Sequence, residues 1–155
     1  MHQIHQKIAL LLLLPLFIGC AKLDAHQDFR FQDSGKREYR TTTLKADLIK
    51  HFGHQFPKIK ILLIETPTLA NPSFIAQNEA IDSIRSDIEE MQVMFVVACP
   101  TEEYSSGYHT TKETARTLAK KHSTFRLTLM AADGQVLKAT AAPLDGKELS
   151  KWLQE

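Results

Sequence analysis

Few residues in this chain are of types that could carry chemistry: two cysteines, seven histidines and a loop of threonine and asparagine set between prolines. Cys20 and Cys99 are the only thiols. A thiol acts as its thiolate, so a reactive cysteine needs surroundings that favour the charged form. Cys99 follows the apolar run Val93 to Ala98 and precedes Pro100, and it is the candidate redox-sensing thiol. Glu102 and Glu103 in the same loop oppose a thiolate there, and the competing reading is a buried cysteine behaving as a small hydrophobe. His51 and His54 stand at helical i, i+3 spacing, and His109 and His122 flank a second helical segment. A metal site needs three or four converging ligands, and Gly53 interrupts the first pair, so no metal is expected. Thr66, Thr68 and Asn71, with Tyr104, Tyr108 and Thr124, could form a polar, aromatic-lined rim for a small molecule or peptide. Ordinary turn chemistry around Pro67 and Pro72 accounts for the same loop residues. The chain has no Gly-rich phosphate loop, Gly-x-Ser-x-Gly elbow or His-Glu-x-x-His helix, and no cofactor is expected.

The elements that must position these residues follow from periodicity. Ile59, Ile61, Leu62, Leu63 and Ile64 form a short unalternating apolar run, which suits a strand buried on both faces. The loop Glu65 to Pro72 follows, and ligands of α/β sheets normally sit in the crevice beyond the carboxyl ends of such strands. From Ser73, the residues Phe74, Gln77, Ile81, Ile84, Ile88 and Met91 recur every three or four positions, predicting one continuous helix. Val93 to Ala98 is the second strand of a right-handed βαβ unit with parallel strands. Thr101 to Tyr108 reads as a loop, and Thr110 or Thr111 caps a helix from Lys112 to His122. Phe125 to Met130 and Gln135 to Thr140 flank Asp133-Gly134, a strong hairpin signal. Asp145 and Glu148 have capping-box spacing ahead of a last helix with Leu149, Trp152 and Leu153 on its buried stripe. Before all of these, Thr41 to Thr43 offer caps to a short helix, Leu44 to Phe52, which stops at Gly53. The predicted order is β-α-β-α-β-β-α after this short N-terminal helix.

The N-terminal end carries a cellular address. A weakly basic start, the apolar block Ile8 to Ile18 and the small residue Gly19 predict a secretory signal peptide spanning residues 1–19. Phe17-Ile18-Gly19-Cys20 resembles the lipobox of bacterial lipoproteins, which implies acylation of Cys20 and attachment to a membrane through lipid. Ala21 behind the cysteine favours sorting to the outer membrane, with the domain on the periplasmic face. Residues 20–40 are polar and mixed in charge, and are expected to be a lipidated N-terminus and flexible tether, although Phe29-Arg30-Phe31 could pair as an edge strand. Residues 41–155 then form a single domain. Of the 19 Lys and Arg only Lys7 lies in the removed segment, leaving 18 basic against 18 acidic side chains. That balance gives no basic stripe, so no nucleic-acid partner is expected. With Cys20 lipidated, Cys99 has no intrachain disulfide partner.

The late hairpin and closing helix resemble the thioredoxin-like arrangement, a three-layer α/β/α sandwich. More closely, Lys60-Ile61-Leu62-Leu63-Ile64-Glu65-Thr66-Pro67 with Asn71-Pro72 and Gln77, Met94 to Val97, and Leu127 to Val136 resemble the bacterial domain-of-unknown-function family 4174. That resemblance implies an exported thioredoxin-like domain and brings no catalytic residues with it. Unlike active thioredoxins, the chain has no Cys-x-x-Cys after its first strand. Thr68-Leu69-Ala70-Asn71 puts an amide where the Thr-x-x-Cys motif of peroxiredoxins has its cysteine, and an amide is no nucleophile. Ser123-Thr124-Phe125 occupies the place where that arrangement usually has a proline. The expectation is an envelope lipoprotein whose thioredoxin-like domain is a non-catalytic binding or assembly module for an envelope protein or small ligand. The alternative is a thiol-dependent enzyme or sensor acting through Cys99.

Overall fold

A computed structural model describes residues 26–155; the signal segment and Cys20 lie outside the described residues. Its centre is β3 (Lys60–Glu65), in which every residue from Ile61 onward is buried. β3 runs parallel to β4 (Val93–Ala98), in register from Lys60 opposite Val93 to Glu65 opposite Ala98. On its other side β6 (Arg126–Ala131) runs antiparallel, with Glu65 opposite Arg126. β6 turns through Asp133-Gly134 into β7 (Val136–Thr140). Gly134 has φ +87°, and a Cβ there would stand 2.4 Å from the Gln27 carbonyl oxygen, so both the turn and this close approach require glycine.

Alternation along these strands divides the core into two halves. Ile61, Leu63, Met94 and Val96 face α1 (Leu44–Phe52) and α4 (Lys112–Ala119), which contribute Leu44, Leu48 and Ala115. Leu62, Ile64, Val97 and Leu127 face α2 (Pro72–Ser83), α3 (Arg85–Met91) and α5 (Gly146–Gln154), which contribute Phe74, Ile88 and Leu149. Helices therefore cover both faces of one sheet, the expected three-layer α/β/α sandwich with a thioredoxin-like core. The Asp145–Glu148 capping box is formed, Thr111 accepts from the Thr114 N–H, and Gly53 closes α1 in the left-handed region.

Four details depart from the sequence reading. The segment expected as a tether enters the sheet: β1 (Arg30–Gln32) and β2 (Glu38–Arg40) pair antiparallel, and the domain starts by His26, which bridges to Gln135. The reason is aromatic: Phe29, Phe31 and Tyr39 are buried among core side chains, with Phe31 stacked on Tyr39 at 5.3 Å. Asp33 locks the connecting turn, accepting from the Arg37 N–H, the Arg37 guanidinium and the Tyr39 hydroxyl. Burial alone would raise its pKa, but these donors outweigh it and hold the carboxyl below its usual range.

Second, part of the expected loop is a strand, β5 (Tyr108–His109), parallel to β4 and antiparallel to β1. The sheet order is accordingly β2-β1-β5-β4-β3-β6-β7, and the observed element order is longer than the predicted one. Third, the helix expected from Ser73 to Met91 breaks at Ile84, where the start of α5 presses in; a Cβ on Gly146 would lie 3.2 Å from Ile84 Cγ2. Fourth, α4 ends at Ala119 rather than His122, and Thr41 is no helix cap, since its hydroxyl joins the Phe29 N–H to the Gln27 carbonyl.

Candidate functional site

The carboxyl ends of the parallel strands β3 and β4 define one rim of the sheet, and the 66–71 loop is built there by its own polar groups. Thr66 donates its hydroxyl hydrogen to the Thr68 carbonyl at 2.7 Å, and the Asn71 N–H donates to the same carbonyl at 3.2 Å. Asn71 is the N-cap of α2, its side-chain oxygen accepting from the Ser73 and Phe74 N–H groups. The loop is also tied to its neighbour: Leu69 N–H donates to Glu102 Oε2 at 2.8 Å, and Thr101 donates to the Pro67 carbonyl at 3.1 Å. The turn chemistry weighed for these residues is therefore present.

The start of α2 is capped by an amide and the one described thiol lies elsewhere. Two backbone N–H groups at the start of a helix are where a thiolate gains most, and here an amide oxygen already occupies them. Cys99 is 3 % exposed and lies on the α2 side of the sheet, in the core half that contains Phe74 and Phe125. Its Sγ lies 3.9 Å from the Pro67 carbonyl and 3.5 Å from the Thr101 hydroxyl, with no cationic partner among the described residues.

The expected rim residues separate into different places. Thr66 and Thr124 line a cavity of about 160 Å³ at the strand ends, between the sheet and α4. Tyr104 lies on the other side, edge-on to Phe74 at 5.9 Å, beside a cleft of about 460 Å³ between β4 and α2–α3 that Arg85, Ile88 and Phe95 also line. Tyr108 borders that cleft, but its ring packs edge-on against Phe31 and Tyr39 in the opposite half of the core. Burial and the charge of Asp33 raise the Tyr108 pKa. Thr68 and Asn71 serve the turn and the helix cap, so no single groove joins all six residues. The histidines are likewise dispersed: His51 donates to the Glu38 carbonyl, His54 to the Phe52 carbonyl, and His109 contacts Gln32 and Gly107. Among the described residues no three His, Cys, Asp or Glu side chains converge as a metal site.

The strand-end cavity holds the group that the sequence reading passed over. Glu65 closes β3 with 4 % exposure, and neither of its carboxylate oxygens has a hydrogen-bond partner among the described residues. His122, just beyond α4, places Nδ1 3.5 Å from Glu65 Oε1, within ion-pair range but without hydrogen-bond alignment. Burial raises the Glu65 pKa, although His122, Arg126 and Lys121 pull it the other way. Ala98 and Ala115 form the apolar side of the cavity. One signal could have revealed this site: a carboxylate ending an otherwise apolar buried strand, which is rare unless it is paired or functional.

A mixed sheet with a βαβ unit at its centre and helices on both faces is a thioredoxin-like fold. Solved structures agree on the fold. The peroxidoxin BcpB of Mycobacterium tuberculosis matches with a TM-score of 0.56 at 12% identity, over 84% of this chain and 92% of that one. The exposed lipoprotein thioredoxin Etrx1 of Streptococcus pneumoniae matches with a TM-score of 0.51 at 12% identity, over 83% and 98%. Copper-bound ScoI of Arabidopsis thaliana matches with a TM-score of 0.54 at 12% identity, over 83% and 95%. No family model and no curated protein matches the chain.

Proposed function

We propose that this chain is an envelope lipoprotein, held to the membrane by lipid on Cys20, whose thioredoxin-like domain binds a ligand or partner at the strand-end rim and carries out no thiol chemistry. The observation that carries the reading is Asn71: its amide caps α2 where a catalytic thiolate would have to sit. The burial of Cys99 beneath α2 supports the same conclusion. The lipobox-like Phe17 to Cys20 and the family 4174 motifs are read from the sequence alone. Topology is compatible with such an anchor. The described chain begins at His26 beside the β6–β7 turn, where the Gln27 N–H donates to the Gly134 carbonyl, and the register puts this turn at the end of β3 opposite Glu65.

Two assays on the full chain in detergent test this. Peroxide consumption and disulfide reduction with a dithiol reductant should stay at background and be unchanged by Cys99→Ser. Turnover that disappears in Cys99→Ser would establish the thiol reading instead. Labelled fatty acid should be incorporated during expression in a bacterial host and be lost in Cys20→Ser; incorporation unaffected by that change would refute the anchor.

A further inference from the structure

The cavity at the end of β3 has an electrostatic character that narrows what it can bind. Glu65 is a buried carboxyl without hydrogen-bond partners, and the charged groups acting on it are all basic: His122 and Lys121 beyond α4, and Arg126 directly across the strand pair. The Nε of Arg126 is itself buried without a hydrogen-bond partner. Burial keeps the Glu65 proton on to higher pH than in an exposed glutamate, so the carboxyl is available as a donor within basic surroundings. An acceptor anion complements that arrangement, whereas a cation would meet His122 in the cavity lining and the two further basic groups that act on Glu65 from behind it. The opposite wall, Ala98, Ala115 and Ala119, is apolar and suits an aliphatic stem better than a fully hydrated inorganic ion. At about 160 Å³ the cavity falls below the roughly 300–1,000 Å³ of drug-sized sites.

We propose that this cavity binds a short-chain carboxylate, its carboxyl end against Glu65 and His122 and its stem against Ala98, Ala115 and Ala119. The inference rests on reading the rim as a binding site. The ligand enters as its anion and accepts a hydrogen bond from protonated Glu65, so one proton is shared by the two carboxyls and no bond is broken. Once Glu65 ionises, two carboxylates face each other in a buried place and binding is lost. Glu65→Gln tests this directly, since it retains a donor and cannot ionise.

The experiment is a titration of the full chain in detergent with propionate, followed by NMR at Ala98, Ala115 and Thr124, between pH 5 and 8. Acetyl-alanine represents the carboxyl end of a peptide and propionate the free acid; propionamide and propylammonium are the controls. Saturable shifts at these residues are expected with a carboxylate, with affinity falling by up to about tenfold per pH unit once Glu65 ionises. The fall should be shallower in Glu65→Gln. Should that variant not fold, His122→Gln must still lose affinity as pH rises. Tighter binding of propylammonium, no saturation with either carboxylate, or a pH profile that Glu65→Gln leaves unchanged would overturn the proposal. The two readings fail separately: a silent Cys99 without carboxylate binding removes this inference alone, while Cys99-dependent turnover removes the function on which it rests.

Discussion

Replacing Glu65 with Gln should stabilise the protein, and only above acid pH. The side chain is 4 % exposed and both oxygens lack hydrogen-bond partners among the described residues. Burial raises its pKa in the fold above that in the unfolded chain. A group with a raised folded pKa contributes stability that is fully present below its unfolded pKa, about 4.3 for glutamate, and is lost as pH rises through the folded value. Wild type thus bears the cost of an ionised, buried carboxylate at alkaline pH and none of it at pH 4. Gln has the same shape and, like the neutral acid, leaves its polar atoms unpaired, so only the ionisation separates the two. Glu65→Gln should therefore match wild type near pH 4 and gain on it by about 1.4 kcal/mol for each pH unit between the unfolded and the folded pKa. In urea unfolding, with a slope of roughly 2 kcal/mol/M, the gap between the midpoints widens by about 0.7 M per pH unit over that interval. A variant less stable than wild type at pH 8 would show that His122, Arg126 and Lys121 stabilise the carboxylate more than burial penalises it. A difference independent of pH would show that the ionisation of Glu65 is not involved.

Three further substitutions test the frame around the rim. The buried amide of Gln77 donates to the Leu144 carbonyl and accepts from its N–H, holding the segment before α5 as a backbone pair would; Gln77→Ala should cost about 2–4 kcal/mol in chemical denaturation. Gly134→Ala must place a Cβ 2.4 Å from the Gln27 carbonyl at φ +87°; a loss of about 1–3 kcal/mol is expected, with hydrogen exchange at the Gln27 amide faster than in wild type. Asn71→Cys should create a thiol whose alkylation midpoint lies below about 8.5, because it receives the N–H groups of Ser73 and Phe74.

What could be read from the sequence was what neighbouring residues decide among themselves. The apolar run before Glu65, the Asp133-Gly134 turn and the Asp145–Glu148 box each state their structure within a few positions, and each formed. The misread parts depend on residues far apart in the chain. Phe29 to Arg40 looks polar and aperiodic because only three of its side chains enter the core, and β1 becomes part of the sheet by pairing Gln32 with His109. The break at Ile84 falls where Gly146, from another element, packs close against it. At the rim, the residue types were right for a polar loop, but the connections after β3, after β4 and before β6 put Thr66 and Thr124 at one cavity and Tyr104 at a different cleft. Glu65 went unnoticed because its significance lies in what is absent around it, which only three-dimensional packing reveals.

The state of Cys99 separates a binding domain from a thiol enzyme most directly, so its alkylation in the full chain, read at the Cys99 peptide by mass spectrometry across pH and urea, is the deciding measurement. Burial beneath α2 predicts a thiol that labels only as the domain unfolds, with the same urea midpoint as the loss of secondary structure. Rapid labelling of the native protein near neutral pH would contradict the account and make Cys99 the centre of a thiol chemistry.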